Sequence, residues 1–425
     1  MQKRRILVFP CGTEVGLEIN RSFKGNCHFE LVGASSVDDH GKFVYKEYIG
    51  GLPFLKDPSL LDKLREIVKK YDIDMIFPAH DDAINLFSEA QGSLKAKVIA
   101  SPFETCEICR SKRKTYNHLQ GVIKVPQIFD SVPNVFPVFA KPDKGQGSRG
   151  AMLINNIEDY QSYIRTHEDY LICEFLPGKE YTVDCFTDRH GNLRIAKGRE
   201  RRRVNNGISV NSRNVDFPIF YEMAQKINGK LKLRGAWFFQ VKIDTKGNFC
   251  LLEVASRIAG TMGLFRANGV NFAQLSAYDF SEHEIEIIEN KNEVEIDRSL
   301  SACYSLAIQY STIYVDFDDT IIQDGQVAGS VIGFLYDSIG IGKRVILLSR
   351  HSGDIKKSLT KYKLSPSLFD EIIILKTGEK KSSYIKDLNS IFIDDSFAER
   401  LEVSKAKGIP VFGLDSIEAL RDFKI

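Results

Sequence analysis

Residues Trp237–Arg257 read WFFQVKIDTKGNFCLLEVASR. Both halves are crowded with β-branched and aromatic residues, and Thr245-Lys246-Gly247-Asn248 between them suits a tight turn, so the stretch predicts a β-hairpin. A turn centred there makes the numbers of paired residues sum to a constant. Gln240 then lies directly across from Glu253, on one face of the sheet. Two hard oxygen donors so placed form a seat for Mg²⁺, which takes one or two protein oxygens and completes its shell with substrate phosphates. A plain sheet hairpin with a solvated Gln and Glu has the same pattern, so the surroundings must decide.

The chain has 425 residues, enough for two or three domains of about 100 to 200 residues each. Lys and Arg number 58 against 56 Asp and Glu, a balance that argues against nucleic acid or an anionic membrane as partner. Met1 to Arg5 runs straight into a short strand, with no signal peptide in view, and no apolar run is long enough to span a bilayer. The reading therefore expects a cytoplasmic protein, and leaves a homo-oligomer open. Eight scattered cysteines sit mostly in apolar segments such as LICEF, as reduced core thiols do. Cys106 and Cys109 form the one close pair. With no second pair at similar spacing, they read as packing rather than as a metal site.

At the front, RRILVFP and FELVGASS are buried-strand runs. After Pro58, Leu60, Leu61, Leu64, Ile67, Val68 and Tyr71 recur at helical spacing, and IDMIFPAH is the next strand. This alternation predicts a small parallel sheet over residues 1–105. Gly12 and Gly16 fall short of a G-x-G-x-x-G fingerprint, which argues against a dinucleotide site. A basic helix start follows at Ser111–Gly121. In FPVFAKPDKGQGSRGAMLI a strand ends at Lys141, and a Gly-rich turn, Gly145 to Gly150, can lay its N–H groups over a phosphate chain. Next come Glu174-Phe175-Leu176 at a strand end, Glu180 at a strand start, the basic run GRERRR from Gly198 to Arg203, and the helix FPIFYEMAQKING. Beyond the hairpin, SRIAGTMG and a polar helix lead to the acidic EIEIIENKNEVEID, where this region closes near residue 300.

In this order and spacing, Lys141, the Gly145–Gly150 loop, Glu174 to Leu176, GKEYTVD, Gln240 and Glu253 to Arg257 resemble the ATP-grasp superfamily. The nearest branch contains the large subunit of carbamoyl phosphate synthetase. The resemblance implies a Rossmann-like pre-ATP-grasp domain (1–105) followed by an ATP-grasp domain (106–300) of two α+β subdomains that clamp ATP. It implies that Lys112 and Lys141 reach the phosphates, with Arg113 and Lys114 leaving the first register open. Gly145, Gly147, Ser148 and Gly150 would close over the γ-phosphate, Glu174, Phe175 and Leu176 would bracket the adenine, and Glu180 would hold the ribose. Gln240 and Glu253 would hold Mg²⁺ or Mn²⁺, and Arg257 would steady the transferred phosphoryl group. The implied reaction joins a small-molecule carboxylate to an amine through an acyl phosphate. One departure is Ala255, where the family commonly has an Asn that binds a second metal. Arg199 and Arg201 to Arg203 either bind an anionic substrate or lie on a solvated strand edge.

After a linker, 301–310, the alternation restarts in STIYVDFDDTI, RVILLSRH, EIIILKTGEKKSSYI, SIFIDDSFAER and IPVFGL, predicting a second parallel sheet over 311–425. Asp316, Asp318, Ser349, Lys381 and Asp394 fall at its strand ends, where such sheets bind ligands. The set resembles the haloacid dehalogenase (HAD) superfamily. The resemblance implies Asp316 as nucleophile, Asp318 as acid and base, Ser349 and Lys381 (or Lys380) on the phosphate, and Mg²⁺ held by Asp316, Asp318 and Asp394, with Asp395 a further candidate. Short spacings leave room for no more than a minimal cap, hence an open site for a phosphomonoester. The α/β and α+β multidomain chain thus reads as a ligase fused to a phosphatase, serving surface polysaccharide or small-metabolite synthesis. An ATP-binding regulator with a degenerate ligase site is the alternative. Polynucleotide end-processing fares worse, because no K-x-D-G motif is present.

Overall fold

The computed structural model describes residues 3–145, 147, 149–422 and 424. The chain forms two compact units, residues 1–301 and residues 302–423. In the first, β1 (Arg4–Phe9), β2 (Phe29–Ala34), β3 (Glu47–Ile49), β4 (Met75–Pro78) and β5 (Lys97–Val98) make a parallel sheet in the order β3-β2-β1-β4-β5. Alternate side chains of β1 go to opposite faces. Ile6 and Val8 pack with Ile19 of the helix Glu14–Ser22, while Leu7 and Phe9 pack with Leu60 and Leu64 of the helix Leu60–Lys70. Burial on both faces is why these strands read as unbroken apolar runs. Strand order reverses between β1 and β4, so the loops after them diverge and leave a crevice at their ends.

A small antiparallel sheet follows, β6 (Val138–Pro142), β7 (Met152–Ile154) and β8 (Tyr170–Glu174), in the order β7-β6-β8. The main sheet is antiparallel and six-stranded: β9 (Glu180–Thr187), β10 (Leu193–Asn205), β11 (Ile208–Val215), β12 (Gly235–Ile243), β13 (Phe249–Ala255) and β14 (Glu295–Asp297), ordered β13-β12-β9-β10-β11-β14. One face takes the helix Pro218–Asn228, whose Phe220, Met223, Ala224 and Ile227 pack on Tyr181, Val183, Trp237 and Phe239. On the other, Phe186 and Phe238 share a core with Ile6, Val8 and Phe77 of the parallel sheet. The helix expected to be polar, Phe272–Phe280, is mostly buried in that same core, because its apolar residues outweigh its few polar ones.

The hairpin forms as predicted and Gln240 pairs with Glu253, but by a different route. Nearer the turn, Val241–Leu251, Lys242–Cys250 and Ile243–Phe249 run one residue out of step, and a bulge at Leu252 absorbs the difference. Without it Gln240 would face Leu252, and Glu253 would point to the opposite side of the sheet. Asp244 organises the turn, its Oδ1 accepting from the backbone N–H groups of Lys246 and Asn248 at 2.8 Å each.

In the second unit β15 (Thr312–Val315), β18 (Arg344–Ser349), β19 (Glu371–Ile374), β20 (Ser390–Ile393) and β21 (Val411–Phe412) form a parallel sheet ordered β19-β18-β15-β20-β21. Every predicted strand is present, and the order again reverses beside the first. Between β15 and β18 lie only a small hairpin, β16 (Ile322–Gln323) with β17 (Gln326–Val327), and the helix Gly329–Gly340. Among the described residues no helix is long and apolar enough to cross a membrane.

Candidate active sites

In the first unit a cleft of about 1150 Å³ runs between the crevice at β1 and β4 and the main sheet, and adjoins a pocket of about 180 Å³ near β8. Lys112, Gly145, Gly147, Arg201, Gln240 and Glu253 line both. Arg199, Thr182, Gln240 and Glu253 stand side by side across β10, β9, β12 and β13, forming one polar row on the floor. Thr182 Oγ1 is buried and has no hydrogen-bond partner among the described residues.

Lys112 opens the helix Lys112–Leu119, capped by Ser111. Its pKa is lowered, chiefly by burial, with the nearby Glu253 opposing the shift. Arg113 and Lys114 turn outward to Asp130 and Glu107, so Lys112 is the member of the basic run that reaches the cleft. Lys141 is almost fully buried and donates to Tyr116 Oη at 2.7 Å, and Tyr116 donates to the carbonyl of Leu252, the bulge residue, at 2.6 Å. Gly147 and Gly150 have φ of +62° and +71°, a region costly for any residue with a Cβ. Ser148 lies outside the described residues.

Glu174, Phe175, Leu176 and Glu180 line the smaller pocket. Arg201 forms an ion pair with Glu180, donates to Gln240 Oε1 at 3.0 Å and to the Gly207 carbonyl at 2.6 Å, and so ties the pocket to the Gln240–Glu253 pair. The basic run divides: Arg199 and Arg201 turn inward, while Arg202 and Arg203 lie on an exposed strand edge. Arg199 pairs with Asp184, buried inside the sheet, while Arg202 and Arg203 pair with Glu295 and Asp297 on β14. Arg257 pairs with Asp81, which begins the helix after β4, and its guanidinium lies 5.2 Å from the Phe238 ring centroid.

In the second unit Asp316 directly follows β15, Asp394 directly follows β20, and Ser349 ends β18 between them and β19. Lys381 Nζ is 2.6 Å from both Asp316 Oδ1 and Asp394 Oδ2, and all three groups are buried. Lys380, by contrast, is exposed. Burial pushes the Asp394 carboxyl up to about 6, with Asp316 adding to the shift and Lys381 opposing it; burial raises Asp316 as well. Ser349 Oγ is buried, meets no partner at hydrogen-bond geometry among the described residues, and sits close enough to Asp316 to favour its ionised form. Asp316, Asp394 and Asp395 bring carboxylate oxygens within 4.8 Å of one another. The Asp318 side chain is not in that group. Its exposed carboxylate instead meets His351 Nδ1 at 2.8 Å.

A family model described as "ATP-grasp in the biosynthetic pathway with Ter operon" matches residues 166–301. The first unit contains an ATP-grasp domain. No curated protein matches the chain. Among solved structures, the biotin carboxylase domain of Hydrogenobacter thermophilus 2-oxoglutarate carboxylase, in complex with MgADP, ADP and bicarbonate, has a TM-score of 0.59 at 15% identity, covering 69% of this chain and 74% of that one. N5-carboxyaminoimidazole synthetase from Staphylococcus aureus with ADP scores 0.58 at 15% identity, covering 71% and 83%. L-amino acid ligase from Bacillus licheniformis scores 0.55 at 17% identity, covering 66% and 74%. At these identities the likeness is one of fold. The first unit gathers Lys112, Lys141, Gly145, Gly147, Glu174 to Leu176, Glu180, Gln240 and Glu253 around adjoining cavities. Sequence reading missed Tyr116, Thr182, Asp81 and His351. Tyr116 alone had a usable signal, since it sits four residues after Lys112 on one helix face.

Proposed function

We propose that the first unit is an ATP-dependent carboxylate–amine ligase, with residues 1–105 as its leading domain and 106–300 as the ATP-grasp domain. The second, 311–425, would be a minimally capped Mg²⁺-dependent phosphomonoesterase of the haloacid dehalogenase type. For the ligase the decisive observation is the Gln240–Glu253 pair, opening on both cavities with Lys112 and Lys141 nearby. A carboxylate and an amide oxygen on adjacent strands are a donor set that suits Mg²⁺ and nucleotide phosphates. Lys112, Lys141 and Mg²⁺ would together offset charge on the γ-phosphoryl group as ATP converts the carboxylate to an acyl phosphate. The amine would then attack from the wide part of the cleft, between the ends of β1 and β4 and the main sheet. For the phosphatase it is Lys381 between Asp316 and Asp394, beside a third carboxylate. Three acids and one lysine leave a net negative site that suits a divalent cation. Cys11, Cys106, Cys173, Cys185 and Cys250 are buried thiols, in keeping with a reducing, cytoplasmic setting.

With Mg-ATP and pooled carboxylates and amines, the full chain should release ADP and phosphate and yield a C–N product by mass spectrometry. Glu253→Gln should lower that rate about 10²- to 10³-fold and leave phosphatase activity intact. Release of AMP, or ATP consumption indifferent to the carboxylate, would contradict the ligase reading.

Metal binding to the second unit should depend on pH. Asp394 is raised from 3.8 to about 6, so the folded state holds its proton more tightly than the unfolded chain does. Without metal, the stability this confers is present at low pH and is lost as pH rises through about 6. A cation needs the carboxylate ionised. The gain in Tm of the second unit on adding Mg²⁺ should therefore be small at pH 5 and grow by pH 7. A gain independent of pH would remove Asp394 from the cation's ligands.

A further inference from the structure

We propose that His351 is the positioning residue for Asp318 in phosphoester cleavage, an inference that rests on the phosphatase reading above. Asp318 has a side chain 51% exposed, whereas that of His351 is 12% exposed. A surface carboxylate left to water would sample several rotamers. Here both its oxygens lie within reach of one imidazole nitrogen, at 2.8 and 3.1 Å from His351 Nδ1. The ring is itself held from behind, because Nε2 is 2.8 Å from Ser358 Oγ on the helix Ile355–Lys361. Phe317 meets it edge-on, with ring centroids 5.2 Å apart. Gly353 leaves it room, since a Cβ there would lie 3.2 Å from Nε2.

An ionised carboxylate can only accept, so a hydrogen sits on Nδ1, while the Ser358 hydroxyl can donate to a bare Nε2 or accept from a protonated one. The Nδ1–H donor can serve Asp318 in both of its proton states. In the first step Asp316 attacks phosphorus, the P–O bond to the leaving group breaks, and protonated Asp318 delivers its proton to the departing oxygen while its other oxygen stays on His351. In the second step water attacks phosphorus, Asp318 takes the water's proton, and the bond between Asp316 and phosphorus breaks. His351 gives no proton to the substrate. Its task is to hold the Asp318 carboxylate in one orientation, so that it need not be ordered during the reaction.

The test compares two esters in the full-length protein with Mg²⁺. Phenyl phosphate has a poor leaving group that needs a proton, and 2,4-dinitrophenyl phosphate a good one that does not. His351→Ala should lower kcat for phenyl phosphate about 30- to 100-fold and for the dinitrophenyl ester about threefold or less. His351→Asn, whose amide N–H can take the place of Nδ1–H, should recover most of the loss. Ser358→Ala, which keeps Nδ1, should show the same pattern in weaker form. In an Asp318→Asn background, His351→Ala should change nothing further, because the two residues act as one unit. Equal losses on both esters, or full additivity with Asp318→Asn, would overturn the proposal. No hydrolysis of either ester by the unsubstituted protein would overturn the phosphatase reading and this inference with it. Loss of folding in His351→Ala leaves the Asn and Ser358 variants to decide.

Discussion

Asp316→Asn should hydrolyse p-nitrophenyl phosphate at least about 10³-fold more slowly than the unsubstituted protein, while ADP formation by the ATP-grasp domain continues unchanged. The substitution is isosteric but, on the phosphatase reading proposed above, turns the attacking carboxylate into an amide, whose oxygen is a poor nucleophile. Folding should survive. Lys381 keeps its 2.6 Å contact with Asp394, and the mutual repulsion that helps raise Asp394 is relieved. Steady-state kinetics, together with the far-UV spectrum of the variant, checks both halves of the statement. Retained hydrolysis would place the nucleophile elsewhere.

The largest loss of stability is expected from Asp184→Ala. Asp184 and Arg199 meet diagonally between β9 and β10 at 2.8 Å, with side chains 0% and 2% exposed. Removing the acid alone strands a guanidinium in the sheet, at a cost of about 3–5 kcal/mol. Replacing both, as Asp184→Leu with Arg199→Met, should cost much less, since no unpaired charge is left behind. Trp237 is the sole tryptophan, fully buried in the same sheet, so its fluorescence reports unfolding of the first unit directly. A loss below about 1 kcal/mol for Asp184→Ala would show that Arg199 finds water through the cleft.

The parts of this architecture that sequence disclosed are those set by local pattern. Continuous apolar runs alternating with helical spacing marked both parallel sheets, and strand composition marked the hairpin, whereas the bulge that brings Gln240 across from Glu253 left no signal. What escaped depends on strand order. Asp184, Glu295 and Asp297 lie far from the arginines they neutralise, and only the sequence of strands β9-β10-β11-β14 brings them together. Asp81 meets Arg257 across 176 positions of chain, and a lone histidine two residues after Ser349 carried no signal that it would hold Asp318. The helix Phe272–Phe280 was misjudged because its small and hydroxylated residues looked solvated, yet Ser276 and Asp279 are buried and bonded within the core.

The bulge at Leu252 carries a consequence for how this hairpin can vary over generations. Many side chains could stand at that position, since its carbonyl rather than its side chain holds Tyr116. Loss of a single codon there is another matter. It would let Glu253 follow Leu251 directly and keep its place across from Gln240, but it would erase the bulge whose carbonyl accepts from Tyr116 and so loosen the tie to Lys141.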